Sequence, residues 1–135
     1  GFNAVPFQRM PNVSLAPGPR TRSLDDLVAA TDDGILIVGR GSWSIDHQRY
    51  NFQFGGQAFW EIKRGRKVRM LRDVAYHASS VAFWNACDLI GGADSWELGG
   101  SLYDGKGEPV QINAMSHGAP PARFKKIDVV NTGAP

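Results

Sequence analysis

Few side chains in this sequence are of a type that does chemistry at neutral pH, and their spacing is informative. The chain has three histidines, His47, His77 and His117, and one cysteine, Cys87. The histidines stand 30 and 40 residues apart, so no local pair of imidazole ligands forms and no H-E-x-x-H helix exists. Ser116 and His117 are adjacent, which is poor geometry for a serine with its base, and no G-x-S-x-G elbow occurs. Cys87 falls inside an apolar helical pattern and reads as a buried structural thiol. His117 is the most promising of the set. It lies in Ser116-His117-Gly118-Ala119-Pro120-Pro121, which reads as a tight loop able to present a side chain from a rigid edge, although spacing alone makes it an ordinary turn histidine.

Two further patterns suggest phosphate or nucleic acid. Gly100 to Lys106 follows most of a P-loop, but Gly107 stands where Ser or Thr should hold magnesium, and Pro109 follows where a helix should open. Gly39-Arg40-Gly41 begins like a dinucleotide fingerprint, but no helical stripe follows it. Lys63, Arg64, Arg66, Lys67, Arg69 and Arg72 form a basic cluster beside Trp60. Residues 61–72 sum to +5 and the remainder of the chain to −3. Lys63, Arg64, Arg66 and Lys67 are thus the candidate nucleic-acid contacts, through phosphates and one stacked base. A solvated hairpin whose charges protect an edge strand explains the same residues more simply.

The elements that must position these residues follow from periodicity. At 135 residues the chain is one domain, spanning 1–135. Its charge is nearly balanced, at 15 Lys+Arg against 13 Asp+Glu, which excludes a polyanion-binding tail and an acidic disordered segment. The longest aliphatic run, Ile35 to Val38, is far short of the roughly 20 residues a membrane helix needs. One cysteine excludes an internal disulfide framework and fits a reducing compartment, so a cytoplasmic location is expected. Residues 1–22 hold four of the eight prolines and read as an extended arm. Ser23 caps a helix with Asp26 three residues on and a Leu24, Leu27, Val28 stripe. Ile35 to Val38 reads as a buried strand.

Alternation from Asn51 to Lys63 predicts one long strand, turning at Arg64-Gly65 into a return strand over 67–74. Ser79 or Ser80 caps a second helix that Gly91-Gly92 stops. Residues 91–109 read as a glycine loop, Val110 to Ala114 and Phe124 to Val130 as the last strands. The order predicts an α+β fold, mainly antiparallel, with two short helices and a barrel-like sheet.

Four stretches together resemble the C-terminal domain of the bacterial TldD/PmbA family, known as modulators of DNA gyrase and as zinc metallopeptidases. Arg9 to Gly18 is similar to the family's R-x-x-N-x-x-x-x-P-G segment. Ser23 to Leu36 resembles the helix and strand that follow. Tyr50 to Ile62, with Gly65, resembles its long hairpin. Ala119 to Phe124, continuing to Thr132-Gly133, resembles its closing strand. The resemblance implies a barrel-like domain that follows an α/β N-terminal domain. It also implies zinc held by an H-E-x-x-x-H helix upstream plus a cysteine from the C-terminal domain. Neither is present here: Tyr103 and Ala119 stand where the cysteine is expected, and Cys87 lies too early. His117 could substitute as an imidazole ligand.

The chain begins Gly1-Phe2-Asn3, with no Met and no secretory leader, and is expected to be a piece of a longer protein. On this resemblance no catalytic residue and no cofactor belong to this chain, and zinc belongs to a full-length active homologue. The expected partners are the missing N-terminal domain, a second family subunit in a homo- or heterodimer, and an extended or unfolded peptide substrate, with no membrane. The alternative is a non-catalytic partner subunit or interaction domain that contacts gyrase, another protein or nucleic acid.

Overall fold

A computed structural model describes residues 11–106 and 110–133. The arm reaches α1, Leu24–Ala29, through a capping box. Ser23 Oγ accepts from the Asp26 amide at 3.2 Å, and the Asp26 carboxylate accepts from the Ser23 amide at 2.8 Å. Leu27 and Val28 form its buried face. The chain then enters β1, Asp33–Val38, which pairs antiparallel with β4, Ala58–Lys63, itself paired with β5, Arg66–Leu71.

A second sheet has the order β11-β6-β3-β2, from β2, Trp43–Ile45, β3, Asn51–Phe54, β6, Val74–Ser79, and β11, Asp128–Asn131. Helix α2, Ser80–Asn85, grows directly from β6 with Ser79 as its cap. Two small antiparallel pairs complete the described fold. One is β7, Cys87–Ile90, with β10, Ala122–Phe124; the other is β8, Glu97–Lys106, with β9, Gln111–Ala119.

The fully apolar core is thin: Leu27, Val28, Phe59, Ile62 and Ala75 are its buried members among the described residues. A half-buried aromatic cluster supplements it. Phe52 and Phe54 stack at 4.7 Å, Phe83 of α2 meets Phe52 edge-on at 5.1 Å, and Phe83 stacks on Phe124 of β10 at 3.8 Å. Arg123 holds the remaining pieces together. Its guanidinium is bidentate to Asp88 of β7, at 2.9 and 2.6 Å, and also donates to the Ala30 carbonyl behind α1 at 2.5 Å. Lys125 adds a contact to the same carboxylate at 2.7 Å.

The α+β class and the antiparallel connections are as the sequence predicts, and so are two short helices. Several expectations are corrected. The sheets are open and none closes into a barrel among the described residues. The long alternating strand is two strands, β3 and β4, broken at Gly55-Gly56 and belonging to different sheets. Its return strand stops at Leu71, and Asp73, at φ 58°, turns the chain into β6. The second helix ends at Asn85, so Cys87 lies on a strand. Much of the expected glycine loop is β8, because pairing with β9 supplies hydrogen bonds that the segment's own propensity does not predict. Residues 107–109 of that loop, and residues 1–10 of the arm, lie outside the described residues.

The turn at Arg64-Gly65 is the predicted one. Both residues have positive φ, 50° and 73°, as a type I′ hairpin turn requires. A Cβ on Gly65 would stand 2.7 Å from the Ala29 carbonyl oxygen. Gly65→Ala is therefore expected to lower stability by about 1–3 kcal/mol in urea unfolding. An unchanged midpoint would contradict this turn geometry.

The Arg123 clamp makes a pH prediction. Arg123 first, and Lys125 after it, hold the Asp88 carboxyl down at about 2, below its ordinary value of 3.8. A depressed carboxylate contributes stability above its unfolded value and loses it as pH falls through the folded one. The window is therefore pH 4 to 2. After allowance for solvent screening the contribution is about 1 kcal/mol. Asp88→Asn should lower stability at pH 7 and flatten the acid limb between pH 4 and 2, as followed by denaturant unfolding at stepped pH.

Candidate functional site

His117 lies within β9, on a strand and not in a loop, because Ser116 to Ala119 pair with Glu97 to Gly100 of β8. The arm runs beside it. Four residues of the arm meet the outer edge of β9 in succession. The Ser116 amide donates to Asn12 Oδ1 at 2.9 Å, and the Gly118 amide donates to Ser14 Oγ at 3.0 Å. The Leu15 amide donates to the Gly118 carbonyl at 2.8 Å. Side-chain oxygens of Asn12 and Ser14 thus imitate strand carbonyls where the arm itself is not a strand. Asn12 is the asparagine of the R-x-x-N segment, whose Arg9 lies outside the described residues.

The His117 ring is part of this seam. Its Nδ1 stands 2.8 Å from the Val13 carbonyl oxygen and 3.3 Å from the Val13 amide. The shorter contact assigns the ring proton to Nδ1, which donates to the carbonyl. Nε2 faces Met115 Sδ at 3.2 Å. Nε2 is then the bare nitrogen, its lone pair directed toward a thioether that has no proton to donate.

Trp96 closes the seam from the other side. Its indole N–H donates to the Leu15 carbonyl at 3.1 Å, and its ring lies directly on Gly118. A Cβ at Gly118 would come within 1.7 Å of Trp96 Cζ2, so no other residue fits there.

The remaining chemical side chains are dispersed. Cys87 is half-buried on β7, and burial first, with Asp88 beside it, pushes its thiol up, which keeps it protonated. His77 is exposed on β6, opposite Asp128 and Gln53. His47 sits in the turn before Tyr50. Tyr103 and Ala119, where the resemblance expects a cysteine, are exposed on β8 and β9. Among the described residues no group of three or more His, Cys, Asp or Glu is placed to hold a metal ion. Among the described residues His117 therefore has no cluster of further His, Cys, Asp or Glu ligands around it.

The basic cluster is partly neutralised where it stands. Lys63 pairs with Asp33 at 2.7 Å, Lys67 with Asp25 at 3.8 Å and Arg69 with Glu61 at 2.5 Å. Asp33 raises the Lys63 ammonium above its ordinary value. Arg64 and Arg66 are the members of the candidate nucleic-acid set with no ion pair among the described residues. Lys67 and Arg69 face Ile62 and Glu61, so Val68 is an extra, unpaired residue, a bulge on an edge strand. A bulge and a row of cations are what keeps an edge from pairing with other chains. Residues Gly100 to Lys106, the P-loop-like run, lie along β8 and open no helix. No helix among the described residues is long and apolar enough to cross a membrane.

Sequence reasoning missed the arm seam. Its only legible signal was the Asn12 spacing; the Trp96–Gly118 contact joins residues 22 apart across a strand pair that glycine content concealed.

Comparison with known proteins gives two findings. The family model described as the PmbA/TldA metallopeptidase C-terminal domain matches residues 1–131. A "Metalloprotease TldD homolog" from Buchnera aphidicola subsp. Schizaphis graminum is 23% identical over 133 residues. That similarity covers 97% of this chain and 26% of the relative, so the chain spans about a quarter of the relative's length.

If His117 is an anchor for the arm, His117→Ala should speed amide hydrogen exchange at Leu15 and Gly118 by about tenfold, for a loss of about 1.4 kcal/mol. Exchange at Ile62, in the core, should not change. Exchange at Leu15 that stays at the wild-type rate would remove that role.

Proposed function

We propose that this chain, which belongs to the PmbA/TldA metallopeptidase C-terminal domain family, is the non-catalytic C-terminal domain of a longer peptidase-type protein that acts on extended or unfolded peptides. The observation that supports this reading is that, among the described residues, no group of three or more His, Cys, Asp or Glu is placed to hold a metal ion, while His117 Nδ1 is taken up by the Val13 carbonyl. The zinc ligands expected of a metallopeptidase would then come from outside this chain, and no catalytic step is assigned to any residue in it. The single free thiol fits a reducing cytoplasm, and the same reading expects a second family subunit as partner.

A second reading has its own support. Leu98, Leu102, Tyr103, Val110 and Ile112 stand exposed on and beside β8 and β9, more apolar surface than an isolated small hairpin needs. A domain of a catalytically silent subunit, contributing this hairpin to an active partner, would use such a surface.

Peptidase assays separate the readings. The 135-residue chain with added zinc should leave an unfolded casein substrate intact. The full-length protein should cleave it and lose that activity to a chelator. On the second reading the full-length protein is silent alone and cleavage appears only with an active subunit. Chelator-sensitive cleavage by the 135-residue chain itself would overturn both.

A further inference from the structure

The outermost strand of the four-stranded sheet, β2, has an open main-chain edge whose register can be read from its inner side. The Gly55 amide donates to the Ser42 carbonyl at 2.8 Å, and the Asp46 amide donates to the Asn51 carbonyl at 3.2 Å. Between these, Trp43 stands opposite Phe54, Ser44 opposite Gln53 and Ile45 opposite Phe52. Ladder groups alternate along an antiparallel strand, so residues 42, 44 and 46 turn theirs toward β3. Trp43 and Ile45 turn their N–H and C=O groups away, and these have no main-chain partner among the described residues.

The side chains at those two positions are also exposed, Trp43 to 59% and Ile45 to 39%. They lie on the same strand face as Phe54 and Phe52, the stacked pair that leads to Phe83. A strand added to this edge would therefore extend an existing aromatic row. Unlike β5, β2 has no charged residue, no proline and no bulge. The opposite edge strand of the sheet, β11, begins with a charge, Asp128. Arg40 before β2 and Arg49 after it are exposed, with no ion pair among the described residues.

We propose that the open edge of β2 receives one extended peptide segment as an added strand, with apolar residues at alternate positions beside Trp43 and Ile45 and acidic residues at its ends near Arg40 and Arg49. Main-chain hydrogen bonds fix the segment, and the aromatic row and the two arginines choose among sequences. The inference rests on the extended-peptide reading above and names the edge and the side chains that reading leaves open.

The test uses the full 135-residue chain and a blocked synthetic peptide of alternating Val and Thr with Glu at both ends, followed by NMR of backbone amides. Shifts should centre on Trp43 and Ile45 and spare β5. The same peptide with alternate amides N-methylated keeps its side chains but loses two main-chain hydrogen bonds. It should bind about tenfold more weakly. Exchanging Glu for Lys at both ends should weaken binding about threefold at low salt. Ile45→Pro removes an outward N–H while leaving the Ser44 pairing intact, and should abolish binding in a chain whose circular dichroism is unchanged. Trp43→Ala should weaken binding without altering the fold.

Equal binding of the N-methylated peptide, shifts centred on β5 or β11, or full binding by the Ile45→Pro chain would each overturn the proposal. Peptide cleavage by the full-length protein without any response at β2 would remove this edge while leaving the peptidase reading standing. Binding at β2 with no cleavage would do the reverse.

Discussion

The contact of the Trp96 ring with Gly118 organises the part of the molecule where chemistry was most expected. It leaves no room for a side chain at position 118 and brings the indole N–H to the Leu15 carbonyl. Leu15 in turn donates to Gly118. The arm is thereby closed into a ring with β9, and Val13 is delivered to His117. Main-chain groups need hydrogen-bond partners, and this segment of arm has no sheet of its own to supply them. His117 and Trp96 donate to the arm carbonyls of Val13 and Leu15, and Asn12 and Ser14 accept from the β9 amides of Ser116 and Gly118. His117 serves the arm through its Nδ1 contact with Val13.

The rest of the domain depends less on burial than on joints. Among the described residues few are buried, and the sheets are small and open. A domain of this size with so thin a core needs specific links between its layers. The bidentate Arg123–Asp88 pair and the Phe83–Phe124 stack perform that function, connecting α1, α2, β7 and β10. Open sheets also leave edges, and the edges are treated unequally. On β5 a bulge and cations discourage pairing, whereas β2 presents bare main chain between an exposed tryptophan and an exposed isoleucine. That asymmetry leaves β2 the less protected of the two edges.

Much of the fold was legible where the signal is local. The Ser23–Asp26 capping box, the Ser79 cap and the Arg64-Gly65 turn depend on side chains within a few positions of each other, and all form as read. What failed was non-local. Alternation from Asn51 to Lys63 does not reveal that two glycines hand the chain from one sheet to another. Glycine content hid β8 because a strand's stability lies in its partner, here β9, more than in its own composition. The candidate site shows the same division. His117 could be singled out by type, but its role is set by Val13, 104 positions away in the sequence. The family resemblance, carried by motif order, survived these local errors because spacing between motifs is insensitive to where each strand begins.

The central claim is that His117 holds the arm through its Nδ1–H, with no cluster of further ligands around the bare Nε2 among the described residues. Two-bond nitrogen–proton correlation NMR of the imidazole tests it most directly, since it reports the tautomer and any ligation of each ring nitrogen. The expected result is an Nδ1–H ring whose signals do not move on addition of zinc. An Nε2–H ring, or zinc-dependent movement of either nitrogen signal, would contradict the account.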